Sequence, residues 1–187
     1  MLDCNCIRQY ITPIVMEKGL DSALSLPEND CQALLILRLD DQRYALFLDA
    51  VERVVRAVAV TPVPEVPAFV LGLINVAGQL LPVVSLRACL GLPDRPVRPQ
   101  DQFVFARTPL LTVALVVDEV QELSALDIGR AVAPAEVLPQ GDWRVQSLIK
   151  INGDIILIYD LDKLISHADQ SQMLEVKVKA GKCGQAE

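Results

Sequence analysis

Few residues in this chain could do chemistry, and none has the neighbours that chemistry would need. The single histidine, His167, is followed by Ala168 and Asp169 near the C-terminus. A general base or a phosphorylated histidine requires supporting groups around it, so an exposed polar residue is the simpler account. Asp40-Asp41 suggests a metal or an acidic pocket, but between two strand-like runs an Asp-rich turn suffices. Asp160 and Asp162 in YDLDKLI fit the N-cap and first-turn acid of a short closing helix. The five cysteines, Cys4, Cys6, Cys31, Cys89 and Cys183, are an odd set without a C-x-x-C pair, as a reducing compartment favours. Cys4 and Cys6 would need a second pair or a nearby histidine to hold a metal. Cys89 lies in an apolar turn, where burial suppresses the thiolate. The motifs G-x-S-x-G, H-E-x-x-H, G-x-x-x-x-G-K and G-x-G-x-x-G are absent from the sequence. The expectation is a protein without catalysis, metal or cofactor, whose work is to bind other proteins. A β-barrel enzyme or ligand-binding protein would instead need polar groups converging on a pocket.

The elements that carry these residues follow from composition. Apolar residues make up 52% of the 187 residues and aromatics only 4%, so the core is built from Val, Leu, Ile and Ala, a mixture that favours strands. A net charge of −7, from 24 acids against 17 bases, repels a polyanion and argues against a nucleic-acid partner. Val66 to Leu86 contains no charged residue, and a membrane span needs about 20 such residues. Pro67, Gly72, Asn75, Gly78, Gln79 and Pro82 interrupt that run. The N-terminus lacks the basic start and apolar core of a signal peptide, so the cytoplasm is the expected location.

Residues 1–31 read as an N-terminal extension with little helix. ALLILRL (33–39) and RYALFL (43–48) form a predicted hairpin around DDQ, and VERVV continues as strand or helical turn. TPVPEVP (61–67) must be extended, because proline removes backbone donors and restricts its neighbours. PDRPVRPQD (93–101) reads as a linker. QFVFA (102–106), LTVALVV (111–117) and VQELSAL (120–126) are further strands, and AVAPAEVLPQGDW (131–143) is a loop. Residues 167–187 read as a fraying C-terminal tail.

An internal repeat decides the membrane question. GLINVAGQLLPVVSLRACL (72–90) aligns without a gap to SLIKINGDIILIYDLDKLI (147–165). The second copy carries Lys150 and Asp154, each costing about 2.5–3.5 kcal/mol at a bilayer centre, so no direct membrane insertion is expected. Asn152-Gly153 marks it as a hairpin. The first copy then turns at Ala77-Gly78, and because Ala resists positive φ its turn is expected to differ in type. YALFLDAV (44–51) matches VALVVDEV (113–120) more weakly. The chain is thus predicted to be mainly β, in two related units at about 33–92 and 102–166 with 93–101 between them.

The segment Pro67-x-x-Val70-x-Gly72-Leu-Ile-Asn75-x-x-Gly78-x-x-Leu81-Pro82-Val-Val-x-Leu86-Arg87 resembles the signature of CheW-like domains, chemotaxis coupling proteins of bacterial receptor arrays. Tyr44 to Val51, Thr61 to Pro64, Val117 to Val120, Ile149 to Gly153 and Leu161 to Leu164 follow in matching order, so the resemblance spans about residues 33–166. It implies two five-stranded SH3-like β-barrels with short helices, in a non-enzymatic signalling adaptor. The implied partners are the regulatory domain of a CheA-type histidine kinase, which meets a barrel end, and the cytoplasmic tip of a methyl-accepting chemoreceptor, which lies against the groove between barrels. Carried over by position, Val51, Val54, Asn75, Ala77 and Gly78 fall on the partner-binding segments. The family usually has Asn-Leu-Arg-Gly where this chain has Asn75-Val76-Ala77-Gly78. It also commonly has Asp at the place of Ser85, and an acid at the place of Arg53. These departures leave open an auxiliary scaffold of a pilus, gliding or surface-sensing pathway.

Overall fold

The computed structural model describes residues 31–64, 66–127, 144–151 and 153–183. The expectations for residues 1–30, the loop at 131–143 and Asn152 lie outside them. The first five strands are β1 (Cys31–Leu39), β2 (Gln42–Phe47), β3 (Val51–Arg56), β4 (Val70–Val76) and β5 (Gln79–Ser85), with a 3-10 turn at Leu48–Ala50 before β3. Helix α1 (Leu86–Cys89) follows β5. Then come β6 (Gln102–Arg107), β7 (Thr112–Val117), β8 (Glu119–Asp127), β9 (Val145–Ile151) and β10 (Asp154–Tyr159), closed by α2 (Leu161–Leu164) and α3 (His167–Cys183). They form two five-stranded sheets, ordered β8-β1-β2-β10-β9 and β3-β6-β7-β5-β4.

The uninterrupted apolar runs arise because the strands are buried on both faces. Along β1, Leu34 and Ile36 join a cluster with Ala45, Ile149, Ile156 and Ile158, all from the first sheet. Leu35, Leu37 and Leu39 face the opposite way, into a core shared with Val104, Ala106, Val113, Leu115 and Val117 of the second sheet. The intervening β6 and β7 residues Phe103, Phe105, Ala114 and Val116 face a third cluster with Ile74, Leu81 and Val83. A period of two with both phases apolar is what a strand between two cores requires. A sheet that covers one face with its own side chains must curl upon itself, as a small barrel does. No helix of the described residues is long and apolar enough to cross a membrane.

The repeat is visible in space, but each copy does not build its own sheet. β1 and β2 join β8, β9 and β10, whereas β6 and β7 join β3, β4 and β5. The division into units at 33–92 and 102–166 is therefore corrected: the copies exchange strands. The physical reason is the parallel pairing of β2 with β10 and of β5 with β7. Parallel neighbours cannot be joined by a tight turn, so each hairpin is paired with one from the other copy.

Two further expectations change. The 93–101 segment is tied down rather than a free linker: Arg95 bonds Asp101 and Asp118, and the Arg98 amide donates to Asp101 at 2.7 Å. The expected frayed tail is helical through Cys183, with Met173 and Val176 buried and Gln170 donating from Nε2 to the Ile165 carbonyl at 2.8 Å. Gln170, Met173 and Val176 recur at three-residue spacing, so they share one helix face.

Candidate partner-binding surface

Strand register decides which of the sequence-predicted residues come together. Val51 pairs with Ala106, Arg107 with Thr112 and Val76 with Gln79, while parallel β5 and β7 align Val83 with Ala114. The start of β3, the β6–β7 turn and the β4–β5 turn therefore lie at one end of the second sheet. Val51 is 5% exposed and belongs to the shared core, and Val54 is partly buried against it. Asn75, Ala77 and Gly78 are exposed. The five positions share an end of the sheet but lie on its two outermost strands, with the core-facing Val51 side chain turned away from solvent.

The β4–β5 turn holds its shape through its backbone. Ala77 has φ 50° and Gly78 φ 85°. Two consecutive positive φ values are the requirement of a type I′ hairpin turn, so Ala77 occupies the left-handed region that its residue type was expected to avoid. The strand twist favours that turn despite a cost of about 1–2 kcal/mol for a residue with a Cβ. Asn75 Oδ1 accepts from the Gly78 amide at 2.9 Å, which fixes the crossing. Lower on β4, Gly72 (φ 144°) passes so close to the Thr61 carbonyl that a Cβ would collide with it.

At the start of β3 a bulge matters more than the valines. Val51 and Arg53 oppose consecutive residues of β6, Ala106 and Phe105, leaving Glu52 as the extra residue. Arg107 donates to Glu52 Oε1 from Nε at 3.2 Å and from Nη2 at 3.1 Å, and the Thr112 hydroxyl lies 3.3 Å from the same oxygen. Arg53 is exposed and its guanidinium lies 4.6 Å from the centre of the Phe105 ring.

Between this end of the second sheet and the adjoining end of the first runs an open groove of about 460 Å³. Asp49, Ala50, Arg107 and Pro109 line one side, and Gln146, Tyr159 and Asp160 are among the residues of the other. Asp160 caps α2 by accepting from the Asp162 amide at 3.0 Å. The groove has carboxylates and amides but no nucleophile with a base beside it. Among the described residues, no three His, Cys, Asp or Glu side chains gather as a metal site would require.

An ion-pair chain holds the two sheets in register behind this surface. Arg87 of α1 donates from Nη1 to Asp40 Oδ2 at 2.8 Å, in the β1–β2 turn, and from Nη2 to Asp118 Oδ2 at 2.8 Å, between β7 and β8. Arg95 continues it, reaching Asp118 at 2.5 Å and Asp101 at 2.7 and 2.8 Å. The Arg87 hydrogen bond holds Asp40 below the usual carboxylate range despite some desolvation. Burial pushes the Asp118 carboxyl up, but Arg87, the Asp40 amide and Arg95 outweigh it and leave it lowered. These residues were not singled out as a cluster from the sequence, although Arg87 and Asp118 both stand in its signature segments. Ser85, by contrast, is 4% exposed and caps α1, its hydroxyl accepting from the Ala88 amide at 3.2 Å. Ser and Asp are both good N-caps, so that departure preserves a structural role.

Comparison with known proteins agrees with this architecture. The CheW-like domain family model matches residues 33–169. The "Chemotaxis protein CheW" of Thermotoga maritima is 31% identical, covering 79% of this chain and 91% of its own. "Protein FrzA" of Myxococcus xanthus is 27% identical, over 80% of this chain and 95% of its own. The crystal structure of scaffolding protein TtCheW from Thermoanaerobacter tengcongensis superposes with a TM-score of 0.66 at 25% identity, covering 74% of this chain and 94% of that one. An intertwined pair of five-stranded sheets, a signature carried on the β4–β5 hairpin and a match across most of the chain lead to one assignment: this chain belongs to the CheW-like domain family of non-enzymatic chemotaxis scaffolds.

Proposed function

We propose that this chain is a cytoplasmic adaptor that couples the tips of methyl-accepting chemoreceptors to the regulatory domain of a CheA-type histidine kinase. The observation that carries the reading is the exposed, hydrogen-bonded β4–β5 turn at Asn75, Ala77 and Gly78, which shares one end of the second sheet with the groove between sheets. A preformed turn loses little conformational freedom when a partner docks. The groove is an open channel suited to a helical surface, and the sheet end offers backbone and apolar area to a second protein. Coupling needs two such faces and no chemistry. A micromolar contact corresponds to about −8 kcal/mol, and an array strengthens such contacts by multivalency.

The test is a pair of titrations with the kinase regulatory domain and with a receptor-tip fragment from the same genome. Saturable binding to each supports coupling; absence of binding to both overturns it. A second reading, an auxiliary scaffold of a pilus, gliding or surface-sensing pathway, is supported by Ala77 at a turn position where the resemblance to the family implies Arg. Under that reading the chain binds the receptor and kinase of that pathway and not the chemotaxis pair.

A further inference from the structure

We propose that residues 7–16 of this chain dock in the groove between the two sheets and fill it until a partner displaces them. The groove offers two things to an occupant. Phe47, Ala50 and Pro109 keep apolar surface open to it. Asp49 and Asp162 set negative charge on its rim, and among the described residues neither has an ion-pair partner. Asp160 beside them is met by Lys163 at 3.6 Å, and Arg107, the cation of the rim, is taken by Glu52. Desolvation and the neighbouring Asp160 push the Asp162 carboxyl up, so a cation brought alongside is favoured. Complementarity therefore calls for an apolar segment that carries positive charge and no acid.

Residues 7–16 read IRQYITPIVM. They hold three isoleucines, Tyr10, Val15, Met16 and Arg8 and no acid, whereas the rest of residues 1–30 carries five acids against Lys18. The family model begins at residue 33, so this stretch lies outside the part it covers. The point of attachment brings the stretch to the groove. β1 begins at Cys31, its second residue Gln32 lines the groove, and Leu34 pairs with Phe47 of the same lining. The 14 residues 17–30 join the stretch to that point. Such a length reaches at most about 50 Å, and a flexible chain of that length has an end-to-end distance of about 20 Å. Tethered so, the stretch meets the groove at an effective concentration in the millimolar range. A contact as weak as about 0.1 mM then keeps the groove about nine-tenths filled and lowers a competitor's apparent affinity about tenfold. The competitor is the receptor tip, a step that rests on the coupling function proposed above.

The experiment uses the full chain with p-benzoylphenylalanine in place of Ile14, photolysed at low micromolar concentration and mapped by peptide mass. Crosslinks within one chain to peptides containing Phe47, Ala50 or Pro109 are expected, with a yield that is unchanged on dilution and falls several-fold when Arg8→Glu is added. Crosslinks elsewhere on the chain, or between two chains, would overturn the docking, the latter making a second copy the occupant. A titration with a receptor-tip fragment reads the displacement. The double variant Ile11→Asp, Ile14→Asp, checked for folding by its thermal melt, is expected to bind about tenfold more tightly than wild type. Equal affinity would show that the stretch does not hold the groove against a partner and would overturn the proposal. If neither protein binds the fragment, the coupling function fails, while the crosslinks still decide the docking.

Discussion

Arg87 on α1 and Asp118 at the β7–β8 junction form a two-point contact, Nη2 to Oδ2 at 2.8 Å and Nε to Oδ1 at 3.3 Å. The side chains are 7% and 15% exposed. Because Asp40 binds the same guanidinium from the first sheet, the pair clasps α1 against both sheets at the foot of the hairpin that presents Ala77. Removing Arg87 takes a partner from Asp118 and Asp40, but Arg95 still bonds Asp118 and Asp40 is largely exposed, so the loss falls short of the roughly 3–5 kcal/mol of an uncompensated buried charge. Arg87→Met should therefore lower the urea midpoint, and Asp118→Leu added to it should lower it further by taking a partner from Arg95. An unchanged midpoint would show that the clasp adds no stability.

The same carboxylates make stability acid-sensitive, and the direction follows from their lowered values. An unfolded Asp titrates near 3.9. Asp40 and Asp118 titrate lower in the folded protein, so their stabilising contribution is complete above the unfolded value and is lost as pH falls through the folded ones. Denaturation midpoints measured from neutral pH down to about 3 should fall below pH ~4. In Arg87→Met that acid-side fall should be shallower.

Two backbone positions in the hairpin make opposite predictions. Ala77→Gly relieves a left-handed residue and should stabilise by about 1 kcal/mol in urea unfolding. Gly72→Ala places a Cβ against the Thr61 carbonyl and should destabilise by more than about 2 kcal/mol. If both substitutions were neutral, the turn and the close approach at Thr61 would not exist as described.

Cys89 is 7% exposed and burial pushes its thiol up to about 12. Alkylation mapped by peptide mass should label it only after denaturation. Rapid labelling of Cys89 in the folded chain would contradict its burial.

Ala77 also tests the receptor face. Ala77→Arg restores a long charged stem on an exposed turn, and a hydrogen bond to a charged group contributes about 1.5–3 kcal/mol. Its affinity for a receptor-tip fragment should rise by tenfold or more without change in the melting temperature. Unchanged affinity would remove this turn from the receptor contact.

The strands were legible because burial on two faces leaves long apolar runs, and the repeat was legible because equivalent hairpins need the same residues. The exchange of strands between copies was not, since periodicity reports which faces are buried and not which strand lies alongside. Asp40 and Asp118 stand far in sequence from Arg87 and Arg95, and a paired charge carries no local pattern. Helix α3 was missed because, among its described side chains, Gln170, Met173 and Val176 mark the buried face amid polar neighbours, too sparse a pattern to stand out. Ala77 misled because local preference opposed the turn that the twisted hairpin imposes. The bulge that separates Glu52 from Arg53 appears only in the register.

The most direct measurement of coupling is recruitment. Membranes carrying the receptor are sedimented with the CheA-type kinase in the presence and absence of this chain. The account predicts that the kinase pellets with receptor membranes only when the chain is present. Kinase recovery that is the same with and without the chain would contradict it.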